Sequence, residues 1–176
     1  FDTIRNDRFA HGIDRAARGD ESDVPQDWNA PPVPRPFDPM DVLCLPLMAN
    51  LATIGADGPR NAPVWFIWEE EALWMLGSET SRSVARLLAD PACAVEIVHF
   101  DNAAGILLHL GFRGRASVEP MDAPRFRRLL ARYLGPDESA WNPWFIKEIA
   151  AIDDPGGRWI RLVPVSTFTN NVSYFR

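Results

Sequence analysis

Apolar residues between positions 51 and 120 occur in short runs separated by turn residues, a pattern typical of β-strands. Asp57-Gly58 has the composition of a hairpin turn, and Glu69–Glu71 is a polar turn. From residue 158 the chain is again rich in β-forming residues and predicts a terminal strand pair or one bent strand. The other predicted strands are Leu51–Ile54, Asn61–Trp68, Ala72–Leu76, 92–100 and 106–120.

Helical periodicity interrupts this pattern in three places. A helix over Arg82–Ala89 is predicted to begin at Thr80 or Ser81 and to end at Asp90-Pro91. A second helix begins after Asp122, ends at Gly135 and places Phe126, Leu129, Leu130 and Tyr133 on one face. Four arginines occupy most of its other face: Arg125, Arg127, Arg128 and Arg132.

A third helix begins at Asn142-Pro143. The indoles of Trp141 and Trp144 either cap a pocket or hold this helix against the sheet, and we favour the second role.

Six or seven largely sequential strands with short turns favour antiparallel pairing. The long helical crossovers of a parallel sheet are missing from the pattern, so a mainly β (α+β) fold is predicted, a small closed or nearly closed barrel with short flanking helices.

Residues 1–40 form a separate, proline-rich N-terminal arm in this prediction, and residues 41–176 form the barrel domain. The arm is either a disordered tail or a segment that lies over the domain or a partner subunit.

Composition narrows the classes of function. The net charge of −6 argues against a general nucleic-acid or membrane partner, and no apolar run has the length of a membrane span. Two cysteines predict neither a disulfide framework nor a metal site, which fits a reducing cytoplasm. Neither a phosphate-binding glycine motif nor a Ser/His/Asp arrangement is apparent, and no catalytic residue is identified.

One junction does predict chemistry. A predicted strand is followed by the loop Gly77–Ser83, which consists mostly of small and hydroxyl residues and contains one arginine. A predicted helix comes directly after this loop. The first N–H groups of a helix have no internal partner, and the helix dipole favours an anion there. The alternative interpretation is an ordinary helix cap.

Three segments carry a family resemblance: Pro63–Phe66, Ser81–Pro91 and Arg113–Ala116, in this order and spacing. From about Leu47 to about Pro164 the chain resembles the pyridoxamine 5′-phosphate oxidase-like, FMN-binding split-barrel family. The resemblance implies a split β-barrel homodimer with flavin at the dimer interface.

The resemblance also implies a cofactor site. Strand residues would lie along the flavin ring, and the loop and helix start would hold the phosphate. A family arginine on the preceding strand would be either met by Arg60, one residue out of register, or replaced by Asn61. Ser83 stands where the family commonly has lysine. The implied cofactor-binding residues are Asn61, Ala62, Val64, Trp65, Phe66, Gly77, Ser78, Ser81, Arg82 and Ser83.

The function implied is that of an FMN-dependent oxidoreductase acting on a small organic molecule. Two alternatives remain open: Ser83 motivates the first, and the departures from the family's phosphate ligands taken together leave room for the second. One is a non-catalytic barrel that holds flavin, haem or no cofactor, and the other is a reductase that uses the deazaflavin F420.

Overall fold

In the structure, a computed structural model, residues 36–56, 58–150 and 156–174 are described. Residues 1–35, most of the predicted arm, lie outside this part of the chain, so the arm and its boundary at residue 40 stay predictions. The helices are α1 (Met40–Leu43), α2 (Arg82–Ala89), α3 (Ala123–Leu134) and α4 (Pro143–Ala150), with a 3₁₀ turn at Glu138–Ala140. The strands are β1 (Ala49–Gly55), β2 (Gly58–Val64), β3 (Phe66–Glu69), β4 (Ala72–Ser78), β5 (Ala92–Asp101), β6 (Ile106–Pro120) and β7 (Gly157–Asn171).

The strands form one antiparallel sheet in the order β2-β1-β5-β6-β7-β4-β3. The prediction of a mainly β, antiparallel architecture with six or seven strands is therefore confirmed. The C-terminal segment is one long strand and not a pair, because β6 is also 15 residues long and pairs along most of its length.

The run predicted as one strand, Asn61–Trp68, is divided at Trp65. Its first part pairs with β1 at one edge of the sheet, and its second part pairs with β4 at the other edge. The Leu76 N–H donates to the Trp65 carbonyl oxygen (2.9 Å), which ties the crossing point to β4. The chain thus passes directly between the two edges, although the hydrogen-bonded sheet is not closed.

Two apolar layers flank this sheet. The first is made by alternate residues of the strands, such as Phe66, Met75 and Leu110, together with Val84 and Leu87 of α2. The second lies between β3, β4 and β7 and the apolar faces of α3 and α4, with Trp159 completely buried at its centre. The Trp141 indole N–H donates to the Gly135 carbonyl oxygen (2.8 Å), and this confirms that Trp141 holds the helical layer in place.

A charged cluster joins α3 to the β3–β4 turn. The carboxylate of Glu69 accepts hydrogen bonds from Arg125 Nε (3.0 Å) and from Arg128 Nε and Nη2 (2.6 and 2.7 Å). Arg125 also bonds Asp122 (2.9 Å) and Glu70 (3.2 Å) and lies 3.6 Å from the centre of the Trp74 ring. We call these five residues (Glu69, Glu70, Asp122, Arg125 and Arg128) the charged cluster.

Candidate functional site

A cleft of about 660 Å³ lies where the ends of β2 and β4 meet the start of α2. Helices α3 and α4 and the first residues of β7 complete its walls. Its lining residues are Ala62, Pro63, Val64, Leu76, Gly77, Ser78, Ser81, Ser83, Met121, Phe126, Trp144, Glu148, Gly156 and Gly157.

The β4–α2 junction is built from small residues for a steric reason. A Cβ on Gly77 would lie 3.1 Å from Val84 Cγ2 and 3.3 Å from Ile160 Cδ1, so glycine lets α2 pack close to the strand end. Ser81 has an extended backbone (φ −75°, ψ 139°), and its hydroxyl accepts the Val84 N–H (3.2 Å). The sequence therefore predicted the start of α2 correctly.

The start of α2 offers unused hydrogen-bond donors to the cleft. Within the described part of the chain, the N–H groups of Arg82 and Ser83 have no hydrogen-bond acceptor. The Ser81 and Ser83 hydroxyls lie 3.2 Å apart, the helix has no acidic residue in its first turn, and the exposed Arg82 has no ion-pair partner among the described residues. Such a donor set is suited to an anion.

Six of the ten residues implied by the resemblance line this cleft, which brings the strand segment and the phosphate-side loop together. They are Ala62, Val64, Gly77, Ser78, Ser81 and Ser83.

The remaining four lie elsewhere. Asn61 borders a separate groove on the sheet, and Arg82 is exposed and is not among the residues that line the cleft. The Phe66 side chain is completely buried in the barrel core, while its N–H donates to the Tyr133 hydroxyl (3.0 Å). The Trp65 indole stacks on the Tyr133 ring (4.6 Å between centroids, 4° between planes).

Tyr133 organises the crossing point beside the cleft. Its hydroxyl donates to the Leu47 carbonyl oxygen (2.7 Å) and accepts the Phe66 N–H. Burial raises the pKa of this phenol above its usual value, so the hydroxyl is protonated at neutral pH and can both donate and accept a hydrogen bond.

Sequence reasoning missed the helical wall of the cleft. Met121 and Glu148 were not singled out, and Phe126 was predicted only as part of an apolar helix face. Trp144 was assigned to packing, whereas its half-exposed indole lines the cleft. One signal was present: Trp144 and Glu148 are four residues apart in a helix and therefore share a face.

A second, shallower groove of about 360 Å³ crosses the outer side of the sheet. Small residues of β1, β5 and β6 form its floor (Ala52, Ala94 and Gly111), and Arg113 and Phe168 are at its border. Apolar side chains of β7 are exposed nearby in sequence, among them Val163, Val165 and Phe168; Val165 is 84% exposed.

Two further classes of site are not found in the described residues. No group of three metal-ligating side chains comes together there, and no helix there has both the length and the apolar character needed to cross a membrane.

Neither a family model nor a curated protein matches the chain. Solved structures do match it. An F420 reductase superposes with a TM-score of 0.58 at 24% identity, over 77% of this chain and 98% of that one. The chain has the split-barrel fold. The conserved hypothetical protein Rv2991 from Mycobacterium tuberculosis has a TM-score of 0.59 at 20% identity, over 74% of this chain and 81% of its own. An FAD-binding protein (mll6688) from Mesorhizobium loti has a TM-score of 0.51 at 15% identity, over 75% and 89%.

Proposed function

We propose that the split barrel binds a flavin-type cofactor in the 660 Å³ cleft and is an oxidoreductase that acts on a small organic molecule. The observation that carries the proposal is the pairing of unused N–H donors at Arg82 and Ser83 with an apolar strand wall at Ala62 and Val64, in one cleft. Two of the similar structures are an F420 reductase and an FAD-binding protein, which supports this class of ligand.

The donor set fits one phosphate group. Two backbone N–H groups, the Ser81 and Ser83 hydroxyls and the positive end of α2 lie together at the β4–α2 junction. Arg82, the first helical residue, does not line the cleft but would add a guanidinium beside this junction. Val64, Leu76 and Met121 offer apolar contacts for a ring system. In the cleft, Ser81 and Ser83 would hold the phosphate, and Ala62 and Val64 would contact the ring.

A flavin or deazaflavin supplies hydride-transfer chemistry when it is bound, and the protein supplies orientation and exclusion of water. The wall for this task comes from the β2–β3 crossing point, where the Tyr133 hydroxyl accepts the Phe66 N–H and donates in turn to the Leu47 carbonyl oxygen. FMN is the first candidate. F420 is the second because of the F420 reductase among the similar structures.

The test is an absorption spectrum of the purified protein, with the released chromophore identified by mass, followed by titration of FMN, F420 and riboflavin. Riboflavin lacks the phosphate of FMN, so the ratio of the two affinities reports on the α2 site alone. Arg82→Ala should weaken FMN binding about tenfold or more, the effect of one charge-assisted hydrogen bond, with little change for riboflavin.

Arg86→Ala is the matched control, because this arginine lies in the last turn of the same helix, at the end opposite the unused N–H groups. If Arg82→Ala leaves the ratio of FMN affinity to riboflavin affinity unchanged, the assignment of the phosphate to the start of α2 is wrong. A protein that binds neither FMN nor F420 would contradict the proposal and favour the cofactor-free barrel. Cofactor binding without turnover by a reduced nicotinamide or an organic substrate would favour a non-catalytic binding protein.

We also propose that the protein is a homodimer and that the second copy covers the exposed face of β7. The exposed side chains of Val163, Val165 and Phe168 support this, because a folded domain rarely leaves a connected apolar surface uncovered. Val165→Asp should shift the mass in solution, measured by light scattering, from dimer to monomer. Val172→Asp, beyond the end of β7, is the control, and a monomeric wild-type protein would contradict the proposal.

A further inference from the structure

The helical wall of the cleft has a chemical character that the cofactor proposal does not use. Trp144 and Glu148 lie one turn apart on α4, and both line the cleft. Both side chains are exposed to solvent there, and 57% of the Trp144 surface is accessible. A large apolar ring and a carboxylate are thus presented side by side to any molecule that enters.

The Trp144 ring is held in place by other aromatic rings. It contacts Phe145 edge to face (5.0 Å, 77°), Phe145 stacks on Trp65 (5.9 Å), and Trp65 stacks on Tyr133. The Trp144 N–H also donates to Asn142 Oδ1 (2.9 Å), which fixes the start of α4. A ring supported in this way loses little conformational freedom when a ligand covers it.

The residues that line the cleft carry negative charge and no positive charge. Glu148 is the only ionisable residue among them, and no lysine, arginine or histidine lines the cleft. Within the described residues, Glu148 makes no ion pair. The face of an indole attracts cations, and a carboxylate pairs with them through charge-assisted hydrogen bonds.

We propose that Trp144 and Glu148 form a subsite for a cationic group, an organic ammonium whose apolar portion packs against Met121 and Phe126. The identification of this cation as a substrate rests on the proposed function. The binding of the cation depends only on α4 and the cleft. In the proposed function Ser81 and Ser83 hold an anion in the same cleft, so the cleft would take groups of opposite charge on different elements, α2 and α4.

The experiment compares three small probes of similar shape, benzylamine (a cation at neutral pH), benzyl alcohol (neutral) and benzoate (an anion). Their binding to the full chain is measured by calorimetry or ligand-observed NMR, with and without added FMN. The wild-type protein should prefer the amine over the alcohol about tenfold, and benzoate should bind weakest.

Glu148→Gln should reduce the amine preference to near unity and leave alcohol binding unchanged. Trp144→Leu should weaken amine binding several-fold. Glu71→Gln is the matched control, because it removes an exposed carboxylate that does not line the cleft, and it should change neither affinity.

Equal binding of amine and alcohol by the wild type, an amine preference that survives Glu148→Gln, or no detectable amine binding at millimolar concentration would each overturn the proposal. Failure of the proposed function is distinguishable from this. A protein that prefers the amine but binds neither FMN nor F420 has the cationic subsite without the cofactor, whereas FMN binding with no amine preference leaves the cofactor proposal and removes the subsite.

Discussion

Two polar regions of this barrel differ in whether their charged groups have partners within the protein. In the charged cluster, Glu69 is bonded by two arginines and Arg125 by three carboxylates, so each group is matched within the protein. In the cleft, Glu148 has no ion-pair partner among the described residues. At the start of α2, two N–H groups have no acceptor, and the exposed Arg82 has no ion-pair partner in the described part of the chain. Matched groups stabilise the fold, while unmatched groups in a cavity remain available to a ligand.

The comparison predicts a separation of phenotypes. Substitutions in the charged cluster should change the free energy of unfolding and leave cofactor affinity as it is. Substitutions at the α2 start or on α4 should mainly change binding. Two experiments on the charged cluster and one on the turn beside it follow, beginning with the largest effect.

Arg125→Ala should destabilise the protein by about 3 kcal/mol, because it removes several charge-assisted hydrogen bonds and the contact with the Trp74 ring. Urea unfolding measures the change. Arg127→Ala is the matched control on the same helix: its ion pair with Glu138 is 3.7 Å long and half exposed, so we expect a loss of about 0.5 kcal/mol. Equal losses for the two variants, or weaker FMN binding by folded Arg125→Ala, would contradict the separation.

Acid titration should show the next largest effect. The hydrogen bond from Arg128, aided by Arg125, holds the pKa of Glu69 below its ordinary value of 4.5. A carboxylate with a lowered folded-state pKa stabilises the protein at pH values above 4.5, and this contribution is lost as the pH falls from 4.5 through the folded-state pKa.

Glu69→Gln should therefore be less stable at pH 7 by about 1–2 kcal/mol, and its unfolding free energy should fall less steeply below pH 4.5 than that of the wild type. Unfolding curves measured at a series of acidic pH values provide the comparison. If the two stability profiles run parallel, Glu69 does not carry the acid sensitivity.

The smallest effect concerns the turn that holds the cluster. Glu70 and Glu71 both have positive φ values (54° and 56°), a conformation that costs a residue with a Cβ about 1–2 kcal/mol. Glu71→Gly should relieve this and, after the larger chain entropy of glycine, raise stability by about 0.5 kcal/mol. Glu71→Ala keeps the Cβ and should give no gain. Loss of stability in Glu71→Gly would show that the turn is not strained at this position.

The local patterns of the chain were sufficient for its elements and for part of its site. Ser81 and Asp122 act as helix caps as predicted, and Arg82–Ala89 has the predicted bounds, because capping and apolar periodicity depend on residues within a few positions of each other. The loop Gly77–Ser83 was identified for the same reason. Strand and loop residues that follow each other closely do line one cleft.

Arrangements that join distant segments depended on the tertiary structure. Three features bring together segments that are far apart in the sequence. The predicted strand is divided at Trp65, so that its two parts pair at opposite edges of the sheet. Arg125 and Arg128 bond Glu69, and Trp144 and Glu148 line the cleft formed by the strand ends. Sequence periodicity predicted that the α3 arginines share a polar face. It could not identify the residues with which these arginines form ion pairs. Partner choice is set by how the sheet brings its edges and helices together, and this information is not contained in any local run of residues.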